Sequence, residues 1–177
     1  MRQAFANLLR PLPLAGLLTI LTVGYAMRFT APGQRLLAGS ALGVFLVLFV
    51  LLSVVPERMR RVHHAVLLLM PVVIVVLSTA SARVGAAQVL MVVWVACAFT
   101  TWPRPLAIGA ALLANVAFYL ALRGGSEGDP LPMVLINMGF QALAAICVHY
   151  ARAAEESRDA LARVNADLLA TRALLAD

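Results

Sequence analysis

Polar side chains inside long apolar stretches are the residues of this chain whose chemistry most needs explaining. Asn115 lies in one such stretch, and Asn137 and Gln141 lie four residues apart in another. Residues four apart share one face of a helix, and an unpaired amide in hydrocarbon costs several kcal/mol, so each amide is expected to face another helix. The plain interpretation is interhelical hydrogen bonding. The functional alternatives are a polar track whose partners change between two signalling states, and a path for a transported solute.

Other residue types that carry chemistry are sparse and scattered. His63 and His64 are adjacent, so they point away from each other on a helix, and Glu57 is their only acidic neighbour. Cys97 and Cys147 each lie in an apolar run without a CxxC motif, which predicts two small buried residues. We therefore predict no catalytic, cofactor-binding or metal site within the 177 residues.

The composition is that of a polytopic membrane protein. The chain is 63% hydrophobic and 12% charged, whereas about 25% charged is usual in a soluble domain. The mean hydropathy of +0.93 agrees. All 14 basic residues are Arg and the formal net charge is +6. Arg at span ends orients a bundle and contacts anionic lipid, so the lipid bilayer is the predicted partner and direct nucleic-acid binding is not expected.

Six apolar stretches approach the length of about 17–25 residues that a membrane-spanning helix needs. They cover residues 12–27, 36–55, 65–82, 84–101, 105–122 and 131–150. Short linkers between them force neighbouring spans to lie antiparallel. The predicted fold is all-α, with a transmembrane domain at 1–150 and a charged helical tail at 151–177. If the first stretch only lies in the interface, five spans remain.

The Arg residues near span ends predict the orientation. An inner N-terminus places the larger group on the cytosolic side: Arg2, Arg10, Arg58, Arg60, Arg61, Arg104 and Arg152. The outer group is then Arg28, Arg35, Arg83 and Arg123. Six spans return the C-terminus to the cytosol, and five would move only the N-terminus outside. We therefore expect a multi-pass protein of a bacterial inner membrane with a cytosolic tail.

Pro71 and the residues before the first span are candidates for conformational sensing. Pro71 removes a helix hydrogen bond inside the third span and predicts a kink, as a hinge or as a tolerated proline. Asn7 and Arg10 precede the first span, where Arg10 can extend to the headgroups. A change in bilayer thickness changes the cost of burying such residues. The alternative is an ordinary interfacial anchor.

The tail carries a heptad-like apolar pattern. Its seam is formed by Leu161, Val164, Leu168 and Leu175, at spacings of 3, 4 and 7. The same register extends backwards into the sixth span through Phe140, Leu143, Cys147, Tyr150, Ala154 and Ser157. One helix running from the membrane into a parallel homodimer is therefore predicted. A second register, through Leu161, Asn165, Leu168, Arg172 and Leu175, is nearly as good, and the alternative is a plain amphipathic helix.

This layout of short spans followed by a charged helix resembles the sensor half of bacterial two-component histidine kinases. The tail that carries the resemblance runs through 150–158 and 165–177, and the most similar group is the desaturase-regulating, thermosensor-like kinases. The resemblance implies a kinase domain downstream, ATP as the cofactor of the parent kinase and a response regulator as its partner. None of His63, His64 or His149 lies in the phosphoacceptor motif of that family, so no catalytic residue is expected here.

The predicted function is therefore a transmembrane module that senses a signal and transmits it through the tail to a kinase domain. A rival prediction is a self-contained membrane protein, either a transporter or a subunit of a membrane complex. Transporters typically carry charged residues within spans. Here every Arg, Asp and Glu lies at a span end, in a loop or in the tail, which favours the sensor.

Overall fold

The computed structural model describes residues 11–56, 58–81, 86–124 and 128–176, with the side chains of 11, 12, 170 and 173–176 outside the description. Every regular element in these ranges is helical. The α-helices are α1 (Pro11–Ala26), α2 (Arg35–Val54), α3 (Arg60–Ala80), α4 (Val89–Thr101), α5 (Arg104–Arg123) and α6 (Leu131–Ala176). Short 3₁₀ turns cover Met27–Phe29, Pro32–Gln34 and Ala86–Gln88. The all-α prediction is confirmed for this part of the chain.

Four helical segments within the described ranges are long and apolar enough to cross a membrane. They are Pro32–Val54, Arg60–Ala80, Arg104–Arg123 and Leu131–Leu169. Two further apolar segments, Pro13–Phe29 and Ala86–Thr101, are shorter. The chain is thus a helical membrane protein, and each predicted stretch overlaps one α-helix.

Two helix boundaries differ from the prediction. Helix α3 begins at Arg60, five residues before the predicted span, so His63 and His64 lie in its first turns. The sequence from Met59 to Ala65 contains no helix-breaking residue, and charge alone does not stop a helix. Helix α4 begins only at Val89, after the 3₁₀ turn, which makes it 13 residues long.

Helix α4 is the centre of the bundle although it is short, at about 20 Å. It packs against α1, α3, α5 and α6. Its fully buried side chains include Leu90, Met91, Trp94 and Val95. Because α4 packs against four other helices, a displacement of any of them changes the packing of α4.

Pro71 explains how α3 and α4 are joined. Proline has no N–H, so the carbonyl oxygen four residues earlier, Leu67 O, loses its helical donor. The indole Nε1–H of Trp94 donates to that oxygen at 2.7 Å. Helix α3 passes through Pro71 without a break, and an indole from the neighbouring helix replaces the missing backbone bond.

At the other side of the bundle, Gly16 lets α1 approach α2. A Cβ built on Gly16 would lie 2.4 Å from Phe49 Cζ, which is closer than any real contact. Ile20 and Val23 continue the buried face of α1. A larger residue at position 16 would therefore force the ring of Phe49 to move.

We predict that Trp94→Phe destabilises the bundle by more than its lost packing, because Leu67 O is left without a donor. In the Pro71→Ala background, residue 71 supplies a backbone N–H, so the cost of Trp94→Phe should fall by roughly 1 kcal/mol. Thermal unfolding of the four proteins in a mild detergent measures this double-mutant cycle. An equal cost of Trp94→Phe in both backgrounds would show that the indole does not serve the carbonyl.

Candidate functional site: the packed face and base of the last helix

One stripe of α6 holds this helix in the bundle. Val134, Asn137, Gln141 and Val148 are its buried members, and α6 packs against α4 and α5. Two of these four, Asn137 and Gln141, are amides, and they are only 7% and 4% exposed. The structure therefore places Asn137 and Gln141 at a helix interface.

Asn115 of α5 and Gln141 of α6 form a reciprocal amide pair. Asn115 Nδ2 donates to Gln141 Oε1 at 2.7 Å, and Gln141 Nε2 donates to Asn115 Oδ1 at 3.0 Å. Each side chain is 4% exposed. The second hydrogen of Asn115 Nδ2 goes to Ala111 O at 2.7 Å. This pair fixes the position of α6 along α5 and its rotation against it.

The pair continues into a network that reaches the start of α4. Gln141 Nε2 also donates to Asn137 Oδ1 at 2.7 Å, and Asn137 Nδ2 donates to the backbone oxygen of Gln88 at 2.9 Å. The buried Gln88 side chain returns to α6 by donating to Met133 Sδ at 2.9 Å. Four amide side chains thus join α5, α6 and the 3₁₀ turn that precedes α4. We call Gln88, Asn115, Asn137 and Gln141 the amide network.

The chemistry of the amide network is structural positioning. Amides do not titrate near neutral pH, so the network supplies no acid, base or nucleophile. Both hydrogens of Asn115 Nδ2 and of Gln141 Nε2 are used. The network specifies one arrangement of α6, because rotating this helix would break several bonds together.

The base of the tail is held by a second set of bonds. Pro103 has no N–H, so Phe99 O at the end of α4 lacks its helical donor. Arg152 of α6 donates through Nη1 to Phe99 O at 3.2 Å and through Nη2 to Thr100 O. A cation at a helix C-terminus also complements the helix dipole. Arg152 is therefore bound to the end of α4.

Neighbouring side chains extend this junction to α3 and α5. Arg104 Nη2 lies 2.9 Å from His149 Nδ1. Because a guanidinium only donates, His149 Nδ1 is the acceptor and the ring carries its proton on Nε2. His64 of α3 stacks on Trp102, with ring centroids 6.2 Å apart and an interplanar angle of 13°. Four helices thus meet where α6 leaves the bundle.

The predicted dimer seam lies on another face of α6. Phe140, Leu143, Cys147 and Tyr150 are exposed, at about 130° around the helix from the buried stripe. Cys147 was predicted to be buried, and that prediction is wrong: only Cys97 is buried. An apolar run does not show which of its faces packs. In the tail, Leu161, Val164 and Leu168 are also exposed.

Three predicted site residues have no described side chain. Asn7 and Arg10 lie outside the described residues, and so does the side chain of Leu175, although its backbone belongs to α6. Pro71 lies in the middle of α3 and acts through Leu67 O and Trp94, away from the amide network.

Sequence reasoning missed Gln88, Trp94, Arg104 and Arg152 as positioning residues. Gln88 had the same signal as the other amides, a polar side chain inside an apolar stretch. The contact of Arg152 followed from no periodicity, because its partners are more than 50 residues away. Pro103 gave the usable signal, since it frees a carbonyl that needs a donor from elsewhere.

Known proteins offer no further guide to this site. No family model, no curated protein and no solved structure matches the chain. The function proposed below therefore rests on the sequence and on the described geometry.

We predict that Asn115→Leu and Gln141→Leu each destabilise the bundle by about 1–2 kcal/mol, because each leaves the other amide unpaired in an apolar interior. The double variant should cost less than the sum, since no orphaned pair member remains. Unfolding in detergent measures all three. Ser78→Ala is the control, because the buried Ser78 Oγ has no partner and its loss should cost little. Strictly additive costs would contradict the pairing.

Proposed function

We propose that this chain is the transmembrane sensing and transmitting module of a two-component sensor histidine kinase. It would cross a bacterial inner membrane six times with both termini in the cytosol and act as a parallel homodimer. One observation carries the proposal: α6 is a single helix of 46 residues. Its first part is fixed by the amide network, and its last part, 151–169, is exposed throughout.

The length of α6 fits a span followed by a transmitting rod. At 1.5 Å per residue, 46 residues extend about 69 Å. The first 20 residues match the hydrocarbon thickness of about 30 Å, and the remaining 26 would extend about 39 Å into the cytosol. A helix that is continuous across the membrane surface transmits rotation and tilt without a flexible joint.

Contacts at the two ends of the bundle support the antiparallel topology. At the proposed cytosolic end, Arg104 and Arg152 contact His149 and the end of α4. At the proposed outer end, Arg28 lies over the rings of Tyr25 and Phe29 at 3.9 and 4.6 Å. Arg residues thus lie at both ends of the bundle. Arg28 follows the first span, and Arg104 and Arg152 lie at the opposite end, as spans of alternating direction require. The six-span count includes the two shorter apolar segments.

A second copy of the chain is the partner that best fits the exposed seam. The seam stays on one face of α6 from Phe140 to Leu168. This face points largely away from the face that packs on the bundle. Most of the stability of a helix in a protein comes from packing of its apolar face, and the described side chains of 151–169 are exposed. Pairing two tails would bury Leu161, Val164 and Leu168 and stabilise both.

The proposed mechanism is a biased choice between two arrangements of α6. A change in the bilayer or in a bound ligand would alter the packing of the spans and move α6 against the amide network. The tail offers two nearly equivalent heptad registers, and a shift of a few kcal/mol suffices to exchange their populations. ATP binding and phosphoryl transfer to a response regulator would belong to the downstream kinase domain, so no catalytic residue is assigned here.

The rival proposal is a self-contained transporter or a subunit of a membrane complex. No described charged residue supports it, because each one lies at a helix end, in a linker or in the tail. The buried amides also bind one another rather than line a path. The exposed tail has no evident use in a transporter.

We predict that fixing one register of the tail abolishes signalling. Residues 1–177 would be joined in heptad register to the catalytic half of a histidine kinase of known activity. Autophosphorylation would then be measured in vesicles of short-chain and long-chain lipids. The chimera should respond to chain length severalfold, and Ser157→Leu with Thr171→Leu, which strengthens the seam, should remove the response.

The matched control is Ala162→Leu with Ala166→Leu, two exposed positions outside the seam, which should leave the response intact. A register-locked chimera that responds like this control would contradict the mechanism. A chimera with no response under any lipid would instead show that bilayer thickness is the wrong stimulus.

A further inference from the structure

A cavity of about 220 Å³ lies where α6 leaves the bundle, beside the corner between α4 and α5. It is smaller than the roughly 300 Å³ at which drug-sized ligand sites begin, so it suits a headgroup-sized ligand. Its chemically distinctive lining residues are Trp102, Arg104, His149, Arg152 and Glu156. Most of these side chains donate hydrogen bonds, which defines the ligand as an acceptor.

The two guanidiniums of the cavity have unused donors. Each has five N–H groups; the recorded bonds use one of Arg104, to His149, and two of Arg152, to Phe99 O and Thr100 O. Within the described ranges, neither Arg is paired with a carboxylate. His149, the hydrogen-bond partner of Arg104, lines the same cavity.

Trp102 supplies an independent indication of a missing acceptor. Its side chain is 6% exposed, and its Nε1–H has no hydrogen-bond partner among the described residues. A buried N–H without an acceptor is costly. Trp102 also lines the cavity, so a small movement of its ring would let an acceptor bound there satisfy this group together with the guanidinium hydrogens.

We propose that this cavity binds one phosphate group, carried by an anionic phospholipid or free in solution. A phosphate offers several anionic oxygens, which suit two guanidiniums and an indole N–H better than one neutral acceptor does. Basic pockets between spans on the cytoplasmic side bind lipid headgroups by the same interactions. The cytosolic location depends on the proposed topology, whereas the binding chemistry does not.

Glu156 sets the strength of this site. Its carboxylate lines the same cavity as Arg104 and Arg152 and repels a bound anion. Occupancy would tie the α4–α5 corner to α6 one turn above the end of the span. The phosphate group therefore acts on the helix that the proposed function uses for transmission.

A gain of binding provides the sharpest test, because misfolding cannot produce it. The full chain, purified in a neutral detergent, would be titrated with phosphatidylglycerol, phosphatidylcholine or inorganic phosphate, and bound ligand counted by native mass spectrometry. We expect one tightly bound phosphatidylglycerol. Glu156→Gln should bind it severalfold more tightly, and Glu155→Gln, an adjacent exposed residue outside the cavity, should match the wild type.

Loss variants complete the test. Arg104→Gln should bind roughly tenfold more weakly, and Arg123→Gln, at the other end of α5, should not. Trp102→Phe removes the N–H and should also weaken binding. If inorganic phosphate competes and follows the same pattern, the site takes free phosphate; if it does not, the source is lipid.

Equal binding by Glu156→Gln and Glu155→Gln, together with equal binding by Arg104→Gln and Arg123→Gln, would overturn the proposal. This measurement needs no kinase output, so its failure leaves the proposed function standing. Failure of the chimera would likewise leave the phosphate site standing.

Discussion

The structure depends on the requirement that every backbone carbonyl and amide in an apolar bundle has a hydrogen-bond partner. Two prolines break this requirement locally, at Leu67 O and at Phe99 O. In both cases the donor comes from a different helix, through Trp94 and through Arg152. In the same way, the hydrogen bonds of the amide network cross between α5, α6 and the 3₁₀ turn that precedes α4. The same hydrogen bonds therefore satisfy the polar groups and fix the packing of the helices.

This constraint gives α6 two attachment points and one free face. The amide network holds its first part, and Arg152 holds its exit from the bundle. Between them, the helix cannot rotate by a small amount without loss, because several hydrogen bonds would break at once. Movement between a few discrete arrangements is the expected response, and the proposed transmitting role needs such bistability. The free face carries the seam that continues into the tail.

The sequence was sufficient for the helices and for part of the site. Apolar stretches located each α-helix of the described residues, and polar residues inside them identified Asn115, Asn137 and Gln141. The early start of α3 was missed because the apolar pattern begins only at Ala65, although nothing between Met59 and Ala65 stops a helix. Cys147 was misplaced because hydrophobicity alone does not show which face packs. The contacts of Arg152 and Gln88 join residues about 50 positions apart, which no local pattern reveals.

The most direct test of the central claim, that two copies of α6 meet along its free face, is oxidative cross-linking at Cys147 in membranes. Cys147 is exposed on the seam, and Cys97 is buried, so one native thiol is available. The matched variant moves that thiol off the seam, by Cys147→Ala with Ala142→Cys, where residue 142 is also exposed. A disulfide-linked dimer from the native chain and little from the variant is the predicted result. Equal cross-linking in both, or cross-linking only through residue 142, would contradict the account.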